Sequence, residues 1–237
     1  MNSKGEDRMK DKLEIIEQEI EEAARKSGRQ AGDITLIAVS KTYPLEAIQE
    51  AFSLGCRDFG ENHVQELTQK MDKVDEKVNW HLIGHLQTNK VKYIVGRTKL
   101  IHSVDRLKLA EEINKQSAKK GCITDVLVEV NVAKEESKHG FFVEEVMPAI
   151  AALAKLQHIR VRGLMTVAPF VADPEENRPI FRKLYDLSVD IQKQKFDNIS
   201  SDILSMGMSN DYKIAIEEGA TMVRIGTAIF GNRDYTK

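Results

Sequence analysis

The segment Thr35-Leu36-Ile37-Ala38-Val39-Ser40-Lys41-Thr42-Tyr43-Pro44 decides between the two folds that the rest of the chain allows. An apolar run of strand length ends in a polar turn, and Pro44 sits where a helix begins. In an open doubly wound sheet, this first turn would carry a glycine-rich phosphate fingerprint and the second strand would end in an acidic residue. The turn holds no Gly-x-Gly. It holds a lysine at the carboxyl end of a strand, the end at which a barrel of alternating strands and helices places its functional residues.

Outward from this segment the pattern repeats. Apolar runs of strand length lie at 35–40, 58–60, 80–84, 100–104, 126–130, 161–167, 203–206 and 222–225. Most are nearly continuous, as expected of parallel strands buried on both faces. Helical segments are predicted between them at 44–54, 61–74, 88–95, 107–119, 142–156, 175–195 and 211–218. Ahead of the first strand, Met9, Leu13, Ile16 and Ile20 recur at helical spacing and Gly28 supplies a stop, so residues 1–28 read as an N-terminal helix packed on the barrel. About eight βα units in a chain of this size predict an α/β fold, a single (β/α)8 TIM-type barrel. No Pro-, Gly- or Ser-rich linker or internal repeat divides residues 1–237, which read as one domain.

Composition excludes several classes of function. Hydrophobic residues make up 41% and charged residues 30%, and the formal net charge is -2 with no basic stripe; this is a core-forming chain without the electrostatic footprint of a nucleic-acid binder. No stretch approaches the roughly 20 apolar residues of a membrane helix, and residues 1–8 contain no apolar leader. No membrane partner and a cytoplasmic location are expected. Cys56 and Cys122 lie far apart without a C-x-x-C or a nearby ligand set, so both read as reduced packing residues and no metal is expected.

The chemistry should sit on residues that end the apolar runs. Lys41 is the first. Burial at a barrel mouth would strip its ammonium of water, lower its pKa and free the amine to attack a carbonyl; the alternative is a strand-end lysine snorkelling to solvent. Ser205-Met206-Gly207-Met208-Ser209 closes the seventh strand and Arg224-Ile225-Gly226-Thr227 the eighth, the two loops that make a barrel's usual phosphate site. Gly207, Ser209, Gly226 and Thr227 fit it, although small residues also serve ordinary turns. Arg224 interrupts an apolar strand and must find an acceptor, either a carboxylate in a structural ion pair or a ligand's ring nitrogen. An amine, a phosphate cradle and a ring-nitrogen partner together describe pyridoxal 5'-phosphate. His81 and His85 flank Leu82-Ile83-Gly84 with no convergent carboxylate or third ligand apparent, and read as helix-capping or core-hydrogen-bonding residues. Met165, Met206 and Met208 read as core and pocket filler.

The sequence also resembles a known family. The runs Ala38-Val39-Ser40-Lys41-Thr42, Phe59-Gly60-Glu61-Asn62, His81-Leu82-Ile83-Gly84-His85-Leu86-Gln87-Thr88-Asn89-Lys90, Gly163-Leu164-Met165-Thr166, Ser205-Met206-Gly207-Met208-Ser209-Asn210-Asp211 and Arg224-Ile225-Gly226-Thr227-Ala228-Ile229-Phe230-Gly231 are similar to the motifs of the pyridoxal phosphate homeostasis proteins, single-domain relatives of the N-terminal barrel of bacterial alanine racemase. The resemblance covers most of the chain and departs at no functional position. It implies that Lys41 forms a Schiff base with the cofactor, that Arg224 meets the pyridine nitrogen, that Ser209, Gly226 and Thr227 bind the phosphate, and that Asn62 lies beside the ring. It further implies a protein that holds the cofactor and hands it on, with no established catalytic residue; apo-forms of pyridoxal-dependent enzymes are the expected recipients, and a monomer or weak homodimer the expected assembly.

Three functions therefore compete: a cofactor carrier, a pyridoxal-dependent enzyme such as an amino-acid racemase, and a phosphate-binding barrel enzyme that uses Lys41 directly on a sugar-phosphate carbonyl. Only six residues follow Gly231, so the expectation is that no further domain covers the mouth and that racemization is inefficient.

Overall fold

The computed structural model describes residues 8–74 and 77–231; parts of the readings for the segments 1–8 and 1–28, and those for 232–237, fall outside them. The chain order is α1 (Met9–Lys26), β1 (Thr35–Val39), α2 (Leu45–Ser53), β2 (Asp58–Glu61), α3 (Val64–Met71), β3 (Asn79–Leu82), α4 (Val91–Ile94), β4 (Leu100–Val104), α5 (Leu107–Lys120), β5 (Thr124–Glu129), α6 (Val143–Leu153), β6 (Ile159–Met165), α7 (Arg178–Gln192), β7 (Ile199–Met208), α8 (Tyr212–Glu217), β8 (Met222–Ile225) and α9 (Thr227–Phe230). The strands are parallel and close in sequence order. Closure is made at β1, where Ile37 stands between Asp58 of β2 and Arg224 of β8. This is the TIM-type barrel expected from the apolar runs.

Alternation along each strand separates two cores. Ile37, Leu100, Leu127, Met165 and Met222 fill the barrel interior. Their neighbours Ala38, Ile101, Val126, Val128, Leu164 and Val223 face the helices and join the outer core. Helix α1 buries Leu13, Ile16, Ile20, Ala23 and Ala24 on one stripe, each large side chain stabilising the docked helix by about 1.5 to 3 kcal/mol. Among the described residues, no helix is long and apolar enough to cross a membrane.

Several predicted helices are shorter at their ends, two of them markedly. The segment read as 61–74 begins only at Val64, because Glu61 extends β2 opposite Leu82 and its fully buried carboxylate accepts hydrogen bonds from Ser40 and Lys70. The segment read as 88–95 is a 3-10 turn over Thr88–Lys90 followed by the single turn of α4.

Candidate functional site

At the carboxyl end of the barrel lies a cavity of about 350 Å³, and Lys41, Asn62, Ser209, Arg224, Gly226 and Thr227 all line it. Val39, Ile83, Val167 and Met208 supply apolar wall, and the exposed Phe170 stands at the rim. Gly207 is elsewhere. A Cβ on it would lie 2.6 Å from the Ala215 side chain, so this glycine lets β7 approach α8; it is not among the residues that line the cavity.

The turn that carries Lys41 is clamped from below. Lys70, nearly buried on α3, donates to the Ser40 carbonyl at 2.7 Å, to Glu61 Oε1 at 2.8 Å and to Glu66 Oε1 at 2.7 Å. Glu66 in turn accepts from the Thr42 backbone N–H at 2.6 Å. Both neighbours of Lys41 are thus tied to one charged group. Thr42 has a φ of 68°, a left-handed conformation costly for a β-branched residue and of the kind that surrounding structure must hold in place. Tyr43 completes the anchorage, donating to the Gly231 carbonyl at 2.7 Å and stacking on Phe230.

On the opposite side, the 208–211 turn is shaped by Asp211. Its Oδ1 accepts from the Met208 N–H at 2.7 Å and its Oδ2 from Asn177 Nδ2 at 2.8 Å. The same Asn177 amide donates to the Pro169 carbonyl at 2.9 Å, so one buried side chain sets two mouth loops. Ser209 Oγ then lies 3.4 Å from the Gly226 N–H, and Thr227 follows at the start of α9. The two loops after β7 and β8 therefore bring hydroxyls and backbone amides together.

Arg224 is 4% exposed and makes no carboxylate ion pair among the described residues. Its Nη1 donates to Ser205 Oγ at 2.6 Å and its Nη2 to the Thr166 carbonyl at 2.8 Å. Burial pushes its pKa down to about 10, against the pull of Glu129 and Asp211, so it stays cationic at neutral pH. Its other N–H groups have no hydrogen-bond partner among the described residues, and it lines the cavity.

Behind Arg224 runs a chain of polar groups that crosses the barrel. Ser205 Oγ lies 2.9 Å from His102 Nδ1, His102 Nε2 lies 2.9 Å from His81 Nδ1, and His81 Nε2 lies 2.9 Å from Asp58 Oδ1. A carboxylate only accepts, so neutral His81 donates its Nε2–H to Asp58 and accepts at Nδ1 from His102 Nε2–H; His102 Nδ1 then accepts from Ser205, whose oxygen accepts from Arg224. That direction, assigned from the network, fixes one tautomer for each ring. Burial pushes both histidines below their ordinary pKa, keeping them neutral. Although burial opposes it, hydrogen bonds from His81 and Lys99 hold Asp58 down to about 2. His81 is thus the core-hydrogen-bonding histidine its position suggested. His85 is not: its Nδ1 lies 2.9 Å from Asp105 Oδ2 and its ring stacks on His139, so a carboxylate and a second imidazole that no local spacing revealed converge on it.

Sequence reasoning passed over Lys70, Glu66, Asp211, Asn177, Ser205 and His102. Ser205 and Asp211 stand inside a motif that was read; the others carry no local signal, because their partners lie on different strands and helices.

The chain matches the family model for the alanine racemase N-terminal domain over residues 12–234. It is 44% identical over 226 residues to the pyridoxal phosphate homeostasis protein of Aquifex aeolicus, covering 95% of this chain and 98% of that one. The structure of PipY from Synechococcus elongatus with pyridoxal phosphate bound superposes with a TM-score of 0.82 at 32% identity, covering 94% of this chain and 100% of that one. An alanine racemase of Clostridium difficile in complex with cycloserine shares the fold, with a TM-score of 0.76 at 17% identity over 98% of this chain and 61% of that one.

Proposed function

As this chain belongs to the alanine racemase N-terminal domain family and, within it, to the pyridoxal phosphate homeostasis proteins, we propose that it binds pyridoxal 5'-phosphate on Lys41 and holds it for transfer, as a carrier and not as an enzyme. The observation that carries this reading is the convergence of Lys41, Arg224, Ser209 and Thr227 on one cavity. The donor set fits the group. A Cβ on Gly226 would lie 3.2 Å from the Val39 carbonyl, and this crowded backbone leaves its N–H beside Ser209 Oγ for an anion.

When bound, the cofactor supplies an aldehyde carbon and an electron-accepting ring. Lys41 would hold the aldehyde carbon, with Lys70 and Glu66 fixing the turn beneath it. Ser209, Gly226 and Thr227 would bind the phosphate, and Asn62 would lie beside the ring. Arg224, cationic and donor-only, would face the ring nitrogen and keep it unprotonated. On this reading residues 1–237 form one cofactor-binding domain acting in the cytoplasm as a monomer or weak homodimer. Its recipients are apo-forms of pyridoxal-dependent enzymes, and neither nucleic acid nor membrane is a partner.

The test is borohydride reduction of the freshly purified protein followed by peptide mass mapping, with transfer to an apo-enzyme measured in wild type and in Lys41→Ala. A reduced adduct on Lys41 and a recipient that gains activity support the reading. A colourless protein, or an adduct on a different lysine, overturns it.

A further inference from the structure

We propose that His85, Asp105 and His139 form a binding site for a divalent first-row transition ion such as Zn²⁺ on the loops after β3, β4 and β5, independent of the cofactor cavity. His85 Nδ1 and His139 Nδ1 lie 2.9 Å and 3.7 Å from the same oxygen, Asp105 Oδ2. All three ligand atoms fall within 4.8 Å of one another. A tetrahedral zinc with bonds of about 2.0 to 2.1 Å separates its ligands by roughly 3.3 Å, which lies between the two measured separations. Imidazole nitrogen with carboxylate oxygen is a donor set suited to such ions.

The loops hold these side chains in place before any ion arrives. Gly84 and Leu86, the neighbours of His85, are each tied down: the Gly84 carbonyl accepts from Ser103 Oγ at 2.6 Å and the Leu86 carbonyl from Arg106 Nη2 at 3.1 Å. Arg106 also pairs with Asp105 Oδ1, which orients the carboxylate and leaves Oδ2 to the histidines, as outer partners of metal ligands commonly do. Beyond His139, the chain returns to the barrel through Phe141 N–H to the Glu129 carbonyl and Asn131 N–H to the Phe141 carbonyl, each at 2.9 Å. Gly140 makes that return possible, with a φ of 115° and a position where a Cβ would lie 2.8 Å from the Asn131 nitrogen.

One adjustment is needed. The two rings stack with centroids 3.8 Å apart and planes 22° from parallel, so their lone pairs do not yet meet at one point. The His139 side chain is 56% exposed while that of Asp105 is 4% exposed, and rotation of the exposed ring brings the pairs together around the fixed carboxylate. Three protein ligands leave a fourth position open to water or to a ligand, as in zinc sites that act on or respond to small molecules. The adjoining cavity of about 200 Å³, lined by Glu129, Asn131, Ser137, Lys138 and His139, gives that ligand room.

The experiment titrates the chelator-treated full-length protein with Zn²⁺ alone by calorimetry and with Co²⁺ by visible absorption. Expected are one saturable site of micromolar affinity or tighter, a cobalt band of four- or five-coordinate character, and a loss of about tenfold or more in affinity in both His85→Gln and His139→Ala. His158→Ala, outside the cluster, should bind as wild type. Circular dichroism of each variant separates lost ligation from lost fold, since His139 is exposed and its removal leaves the core untouched. Absence of saturation up to about 1 mM, or an isotherm unchanged in both histidine variants, would sink the proposal. Neither outcome bears on borohydride trapping at Lys41.

Discussion

Arg224 Nη1 donates to Ser205 Oγ across 2.6 Å, and this bond joins the cavity to the polar chain through the barrel. Ser205→Ala removes the acceptor of a buried cation and the donor to His102 in one step. A buried charged donor left unpaired costs about 1 to 3 kcal/mol, and urea unfolding should show a loss of that size. Equilibrium titration should show weaker cofactor binding as the guanidinium drifts. If both stability and affinity are unchanged, Ser205 does not position Arg224.

The same chain makes stability sensitive to acid. His81 and His102 are held below their ordinary pKa by burial. Below about pH 6.5 the unfolded chain therefore binds protons that the native state refuses, and stability falls as pH falls. Between pH 7.5 and 5.5 the two groups together can account for at most about 3 kcal/mol of loss, the limit reached when neither binds a proton in the native state. His102→Asn, compared with wild type by urea unfolding at both pH values, should show a shallower dependence. An equal slope in the two proteins would mean that His102 binds protons alike in the native and unfolded states.

Lys70 makes a different prediction because it neutralises Glu61, which is fully buried. Lys70→Met strands that carboxylate and should destabilise the protein by about 3 to 5 kcal/mol. It also unties Ser40 and Glu66, so cofactor retention should drop. Adding Glu61→Leu should restore most of the stability but not the retention, because the Lys41 turn stays unclamped. Recovery of both in the double variant would show that the clamp matters only for folding.

At the anion side, Ser209→Ala combined with Thr227→Val removes two hydroxyl donors, each worth about 1.5 to 3 kcal/mol toward a charged acceptor. Cofactor affinity should fall by about tenfold or more and not vanish, since the backbone amides of the two loops remain. Unchanged affinity in equilibrium titration would put the phosphate elsewhere.

What could be read before the structure was whatever depends on neighbours in sequence. The eight strands were legible because runs such as Ile37-Ala38-Val39 are apolar on both faces, and the cavity residues followed because barrel chemistry sits where those runs stop. Glu61 was misread as helical because an acidic residue before an amphipathic stretch looks like a helix start; only Ser40 and Lys70, brought in by β1 and α3, explain its burial. Lys70 reads in sequence as one more charge on a helix surface. Asp105 and His139 lie 20 and 54 residues beyond His85, and only closure of the barrel puts the loops after β3, β4 and β5 side by side.

The lining of the cavity also argues that the protein is a poor amino-acid racemase. Racemization of a bound amino acid needs an acid or base on each face of the cofactor plane. Among the described residues that line the cavity, the titratable groups are Lys41, Asp211 and Arg224. Asp211 is 4% exposed and both of its oxygens already accept hydrogen bonds from Met208 and Asn177, so it is committed to the turn. Arg224 stays cationic at neutral pH and so offers no base at that pH. Lys41 is left as the one group able to shuttle a proton, which serves a single face. Incubation with L-alanine and other amino acids, followed by chiral chromatography with Lys41→Ala as control, should give turnover well below about 1 per second. Lys41-dependent interconversion at or above that rate would require a second base beyond the described lining of the cavity, and would replace the carrier reading with an enzymatic one.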